Sequence, residues 1–146
     1  MTMTTVKPSL KPGEEFPTEI NFLVLEDMDN IRMQLVQDLK SLGANGEIFQ
    51  AATVAEAVKL CNEEKIHFII SDWNLPDGSG HEFLKKIRSS KKFDSVPFVM
   101  CTTFNEVKNF LDAIASGANE YIVKPWEPAE LQKKIQLTWA SFKNKR

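Results

Sequence analysis

From Ile20 onward, two periods alternate along the chain. Short apolar runs, INFLVL (Ile20 to Leu25), EIFQA (Glu47 to Ala51), HFII (His67 to Ile70), PFVMCT (Pro97 to Thr102) and YIV (Tyr121 to Val123), are separated by stretches with helical spacing. Four of these runs are apolar almost throughout, the pattern of strands covered on both faces. Between them, Ile31, Leu35, Leu39 and Leu42 fall on one helical face with Gly43 as a stop. TVAEAVKLCNEE opens with Thr53 and Glu56 at capping-box spacing and carries Ala57, Leu60 and Cys61 as an apolar stripe. HEFLKKIRSS supplies Phe83, Leu84 and Ile87, and NEVKNFLDAIASG predicts a helix from an Asn105 cap to a Gly117 stop. EPAELQKKIQLTWASF places Pro128 near its first turn and Leu131, Ile135 and Trp139 on one face.

The pattern is therefore strand and helix in strict alternation, five times over, between residues 20 and 142. Such β-α repeats give parallel strands joined by right-handed crossovers, with helices on both faces. A closed eight-fold barrel needs roughly twice this length, so an open, doubly wound five-stranded α/β sheet with five helices is expected. In that architecture functional groups gather at the carboxyl ends of the strands. Residues 1–19, MTMTTVKPSLKPGEEFPTE, have no periodicity able to bury a face and predict a flexible tail, and residues 143–146 a short solvated one.

Composition narrows the partners. With 42% hydrophobic and 26% charged residues and a net charge of -2, the chain has no basic field suited to nucleic acid or an anionic membrane. No apolar run approaches the roughly 20 residues of a membrane span, and the N-terminus lacks a signal-peptide core. The expectation is a soluble, cytoplasmic monomer, with Cys61 and Cys101 as reduced thiols in apolar segments.

In a parallel sheet every carboxyl end lies on one edge, so residues distant in sequence become neighbours there. Glu26 and Asp27 follow the first predicted strand, Asp72 follows the third, Thr102 closes the fourth, and Lys124-Pro125 follows the fifth. Carboxylates crowded together raise one another's pKa unless a cation is present. A hard, oxygen-liganded ion such as Mg²⁺, with Mn²⁺ as the alternative, resolves this by taking carboxylates and waters at about 2.0 to 2.1 Å. A metal, an ammonium and a hydroxyl can together neutralise and orient a phosphoryl group while a carboxylate oxygen attacks phosphorus. Asp72, with the turn-rich WNLPDGSG after it, is the candidate nucleophile, and Glu26 and Asp27 are the metal holders.

FLVLEDMDNIR, FIISDWNLPDGSG, PFVMCTT and YIVKPW, in this order, resemble the receiver domain of two-component response regulators, above all the stand-alone chemotaxis, CheY-like type. The resemblance spans residues 20–142 and implies a flavodoxin-like strand order of 2-1-3-4-5. It implies that Asp72 accepts a phosphoryl group from a sensor histidine kinase, that Asp27 ligates Mg²⁺, that Glu26 reaches the metal through water, and that the backbone carbonyl of Asn74 is a further ligand. Thr102 matches the switch hydroxyl, Tyr121 the aromatic that moves with it, and Lys124 the phosphate-pairing lysine, whose bond to Pro125 is commonly cis. The output face is expected on the fourth helix, fifth strand and fifth helix, and the downstream target is a flagellar motor switch or a phosphotransfer protein, with a phosphatase as a further partner. Such a chain is a signalling protein, not an enzyme, although it catalyses its own phosphorylation and slow dephosphorylation.

The chain departs from the family pattern in places. Glu26-Asp27 stands where Asp-Asp is frequent, and Thr103 is larger than the residue usual after the switch threonine. Phe104 and Asn74 occupy positions that tune hydrolysis in the family, and an apolar Phe104 is expected to shield the acyl phosphate and lengthen its life. His67 and His81 lack ligand-spaced partners, Trp73 is placed to report on binding at Asp72, and Trp126 and Trp139 are expected to pack the last helix.

Other function classes fit less well. A flavin or nucleotide carrier needs a glycine-rich or Ser/Thr-rich phosphate cradle after the first strand, where this chain has the acidic EDMDN. An aspartyl phosphatase wants a second acid two residues after the nucleophile, and that residue is Asn74. A phosphorylation-independent scaffold does not require Asp27, Asp72, Thr102 and Lys124 together. The sequence stops soon after the fifth helical pattern, so output in trans is expected.

Overall fold

Phe22, Leu23, Val24 and Leu25 are all fully buried, which a strand achieves only when both of its faces are covered. The computed structural model describes residues 19–43 and 45–143, apart from the side chains of residues 104, 107 and 143. The expected tails lie outside it at residues 1–18 and 144–146, as does the Phe104 side chain.

The elements in chain order are β1 (Phe22–Leu25), α1 (Asp29–Lys40), β2 (Ile48–Ala51), α2 (Val54–Glu63), β3 (Phe68–Asp72), β4 (Asn74–Leu75), β5 (Gly78–Ser79), α3 (Gly80–Arg88), β6 (Phe98–Thr103), α4 (Phe110–Ala115), β7 (Glu120–Lys124) and α5 (Pro128–Lys143). The main sheet is five-stranded in the order β2-β1-β3-β6-β7, every pair parallel. This is the doubly wound, flavodoxin-like sheet, equivalent to 2-1-3-4-5 once the small β4-β5 hairpin is set aside.

Alternation along the strands splits the core into two layers. Leu23, Leu25, Ile69, Phe98 and Met100 face Ala57 and Cys61 of α2 and Phe83, Leu84 and Ile87 of α3. Phe22, Val24, Phe68, Ile70, Val99 and Cys101 face Leu35 and Leu39 of α1 and Leu131, Ile135 and Trp139 of α5. Full burial of each such side chain contributes about 1.5–3 kcal/mol, so the apolar strand runs supply most of the driving force.

Local chemistry corrects the sequence reading in several places. Asp72 and Lys124 are the last residues of their strands rather than the first beyond them, and Thr103 extends β6 by one residue. At α2, Thr53 accepts from the Glu56 N–H at 3.1 Å, but the Glu56 carboxylate reaches the N–H of Ala52, so half of the capping box forms. The complete box is at α3, between Ser79 and Glu82. The predicted helix from Asn105 to Gly117 is broken: residues Phe104–Asn109 form a 3-10 turn and the α-helix begins only at Phe110. The Glu106 carboxylate accepts from the N–H and hydroxyl of Thr103, three residues back, which holds the chain in the tighter turn.

Candidate acidic site at the carboxyl edge of the sheet

β1 and β3 are neighbours with Leu25 level with Ser71, and β3 runs one residue further, which brings the residues after Leu25 alongside Asp72. Glu26, Asp27 and Asp72 each place a carboxylate oxygen within 4.8 Å of the others; Glu26 and Asp72 are buried and Asp27 is exposed. From two strands away, Lys124 at the end of β7 extends its Nζ to Asp72 Oδ1 at 2.8 Å and to Glu26 Oε1 at 3.0 Å. The Trp73 N–H also donates to Asp72 Oδ1, at 2.7 Å, so Oδ2 has no protein donor among the described residues.

Charge in the cluster is unbalanced, with three carboxylates against one ammonium. Burial, and then the charge of Asp72, push the Glu26 carboxyl above its ordinary range, against the N–H of Met28 and the ammonium of Lys124. Burial alone would lower Lys124; the hydrogen bond and charge of Asp72, with those of Glu26, outweigh it and hold the ammonium above its usual value. Both directions have one meaning: the site favours added positive charge. The donor set, three hard oxygens around a deficit of positive charge, fits a divalent cation.

The backbone beneath this cluster is held close. Gly80 donates to Trp73 O at 2.7 Å, and a Cβ on Gly80 would lie 2.1 Å from the Asp72 carbonyl oxygen, so only glycine lets the start of α3 approach the end of β3. Lys124-Pro125 is cis. An apolar cleft of about 560 Å³, bordered by Met28, Ile31, Gln34, Lys124 and Trp126, opens beside the acids.

The other expected residues make their contacts with groups outside the Glu26, Asp27 and Asp72 cluster. Thr102 is buried, but its hydroxyl is directed at Glu106 Oε1, 3.2 Å away, or the Thr103 carbonyl at 3.3 Å. Tyr121 is half-buried, packed on Phe110 with ring centroids 4.7 Å apart and covered by Lys134, whose Nζ is 4.5 Å from the ring centroid. Asn74 directs its side-chain amide to the Glu106 carboxylate.

Glu106 is the participant that sequence reasoning passed over. It collects Thr102, Thr103 and Asn74, and although its partial burial works the other way, these hydrogen bonds hold its carboxyl below the usual range. Its signal was an acid four residues beyond the switch-type threonine, readable only once the turn after β6 is known.

The Response regulator receiver domain family model matches residues 22–136. A chemotaxis protein CheY homolog of Campylobacter jejuni is 33% identical over 118 residues, covering 80% of this chain and 90% of that protein. Chemotaxis protein CheY1 of Helicobacter pylori is 32% identical over 119 residues, covering 81% of this chain and 95% of its own length. Among solved structures, chemotaxis response regulator CheY4 of Vibrio cholerae superposes with a TM-score of 0.76 at 30% identity, over 83% of this chain and 99% of that one. A CheY-like receiver domain protein from Methanospirillum hungatei gives a TM-score of 0.78 at 26% identity, over 88% and 99%. Sheet order, the carboxylate edge and these matches coincide over the same residues, and the chain belongs to the response regulator receiver domain family of two-component signalling.

Proposed function

We propose that this receiver domain takes a phosphoryl group onto Asp72 from a phosphohistidine of a sensor histidine kinase in the cytoplasm. The observation that carries the reading is the double bridge of Lys124 to Asp72 and Glu26 at 2.8 and 3.0 Å, which ties an ammonium to the nucleophile's own carboxylate. Asp72 Oδ2, the oxygen without a protein donor among the described residues, attacks phosphorus. The P–N bond to the donor imidazole breaks and the ring keeps the electron pair. Lys124 then pairs with a phosphoryl oxygen and the Thr102 hydroxyl donates to another. Asp27, Asp72 and the Asn74 carbonyl would hold Mg²⁺ directly, with Glu26 acting through water; when bound, the ion neutralises charge on the phosphoryl oxygens.

The output we assign is binding of a downstream protein, and the chemotaxis names of the relatives favour a target of that system. The candidate face carries exposed Leu111 (76%) and Ile114 (48%) on α4 and Leu137 (41%) on α5, with Tyr121 on the strand between those helices. No helix among the described residues is long and apolar enough to cross a membrane. The test is intact-mass spectrometry after phosphoramidate and Mg²⁺. Wild type is expected to gain the mass of a single phosphoryl group and Asp72→Asn none; labelling of Asp72→Asn to the wild-type extent overturns the assignment.

A further inference from the structure

Glu106 makes four hydrogen bonds, and their distribution is uneven. Its Oε1 is shared by the Thr102 hydroxyl at 3.2 Å, the Thr103 N–H at 3.3 Å and the Thr103 hydroxyl at 3.0 Å, while Oε2 takes the Asn74 amide. Three donors crowded on one oxygen are each long, so Oε1 is held by several weak bonds, the Thr102 hydroxyl among them. The acceptor is half-buried and is bonded both to Thr102, near the carboxyl end of β6, and to Asn74, two residues beyond Asp72.

A threonine hydroxyl has a single proton to donate. In the unphosphorylated chain that proton is directed at Glu106 or at the Thr103 carbonyl. Under the Asp72 reading, on which this inference rests, the same proton is needed by a phosphoryl oxygen. Two anions therefore draw on one donor.

We propose that Glu106 is a resident competitor of the phosphoryl group: its carboxylate occupies the Thr102 hydroxyl, and phosphorylation of Asp72 must displace it. A phosphoryl group brings about -1.5 to -2 charges, which adds repulsion to the contest for the proton. Displacement has a route outward. Glu106 sits inside the 3-10 turn Phe104–Asn109, a six-residue run that is longer than such turns usually sustain. The turn leads directly into α4, whose first residue, Phe110, packs on Tyr121. Loss of the Glu106 bonds thus frees the segment that joins Thr102 to the exposed apolar residues of α4. The residue sets how readily this chain accepts and keeps a phosphoryl group.

The experiment compares wild type, Glu106→Gln and Glu106→Ala by the rate of Asp72 labelling with phosphoramidate and Mg²⁺, and by beryllofluoride affinity read from tryptophan fluorescence. Glutamine keeps the shape but is a weaker, uncharged acceptor, and alanine removes the acceptor. The expected order is alanine, then glutamine, then wild type, with gains of about three- to tenfold in both readouts. Mg²⁺ affinity is expected to stay within about twofold of wild type, because Glu106 is outside the acidic cluster. In a Thr102→Ala background the gain from Glu106→Gln is expected to shrink to less than half on a logarithmic scale. Equal labelling and equal beryllofluoride affinity in a labelled wild type and both variants overturn the proposal alone, as does a gain that persists in full without the Thr102 hydroxyl. Failure of wild type and all variants to label overturns the phosphoacceptor reading and this proposal with it.

Discussion

The indole nitrogen of Trp126 donates to Asp38 Oδ2 across 2.7 Å, joining the loop that follows Lys124-Pro125 to the third turn of α1. Asp38 is 6% exposed, and its other carboxylate oxygen accepts from Gln34 at 3.0 Å while its carbonyl accepts from Gln132 of α5 at 3.2 Å. An acid there interrupts the apolar stripe between Leu35 and Leu39, and the interruption is satisfied by a partner far away in sequence. Asp38→Leu is expected to leave the half-buried indole N–H without its acceptor and cost about 1.5 kcal/mol in urea melts. Trp126→Phe should cost a similar amount by leaving Asp38 Oδ2 without its donor while Oδ1 keeps Gln34, and the double variant should lose less than the sum. Strict additivity would show that the two residues do not act as a pair.

The contrast between Asp38 and the acidic cluster shows what the sequence can reveal. Glu26, Asp72 and Lys124 were legible because each sits at the end of an apolar run, and a parallel sheet places all such ends on one edge whatever the loops do. Asp38 lies inside a helix, and its purpose depends on which loop passes over it. Glu106 was hidden for a related reason, because NEVKNFLDAIASG has helical spacing throughout and only the hydrogen bonds back to Thr102 and Thr103 tighten its start. Likewise the Ser79-Glu82 capping box spans the boundary between the turn-rich WNLPDGSG and the helical HEFLKKIRSS, so neither stretch shows it by itself.

Adding a divalent cation tests the charge deficit. Glu26, Asp27 and Asp72 share one edge, and a ligand that binds only the folded chain at about 100 times its dissociation constant stabilises it by about 2.7 kcal/mol. Mg²⁺ is therefore expected to raise the melting temperature by about 10 °C at that excess. Asp27→Ala, which changes an exposed residue and leaves the Lys124 bridges in place, should abolish most of the rise. A full Mg²⁺ response in that variant would remove Asp27 from the metal site.

Asp77 gives a pH signature away from the acids. Its carboxylate accepts from the N–H groups of Val54 at 2.8 Å and Ala55 at 3.0 Å, capping α2 from the hairpin loop. Those bonds, Val54 first, lower its pKa below the ordinary 3.8. A carboxyl group whose folded pKa is depressed contributes stability that is present above the unfolded pKa and lost as pH falls through the folded one. Asp77→Asn should therefore be less stable than wild type at neutral pH, with a gap that stays constant down to about 3.8 and closes below it. A gap that is independent of pH through that window would mean that shape, not charge, makes the cap.

Both thiols are sealed in the core. Burial pushes the Cys61 thiol up to about 11, slightly relieved by Lys92, and the Cys101 thiol up to about 12. At neutral pH a pKa of that size leaves about one thiolate in 10⁴ or fewer, and burial blocks the reagent as well. The folded chain is expected to resist Ellman's reagent and to react at both cysteines in denaturant, the native rate following global unfolding. Rapid modification of Cys101 in the folded state would mean that the floor of the acidic site opens on its own.

Lys124 carries the strictest test, because it serves stability and charge together. Its side chain is 12% exposed and its two bridged carboxylates are 2% and 8% exposed, so removing the ammonium leaves Glu26 and Asp72 facing each other with little water to screen them. Breaking a buried pair in this way costs about 3 kcal/mol in the metal-free protein, and Lys124→Met is expected to lose that much while keeping the aliphatic contacts of the stem. The same variant should gain more from Mg²⁺ than wild type does, since the ion then supplies the only positive charge beside Asp72 among the described residues. Phosphoramidate labelling should nevertheless remain slow, because the ammonium proposed to pair with a phosphoryl oxygen is gone. A variant that recovers both stability and labelling rate with Mg²⁺ would show that Lys124 serves only to balance the acids, and that phosphoryl acceptance depends on the carboxylates and the metal alone.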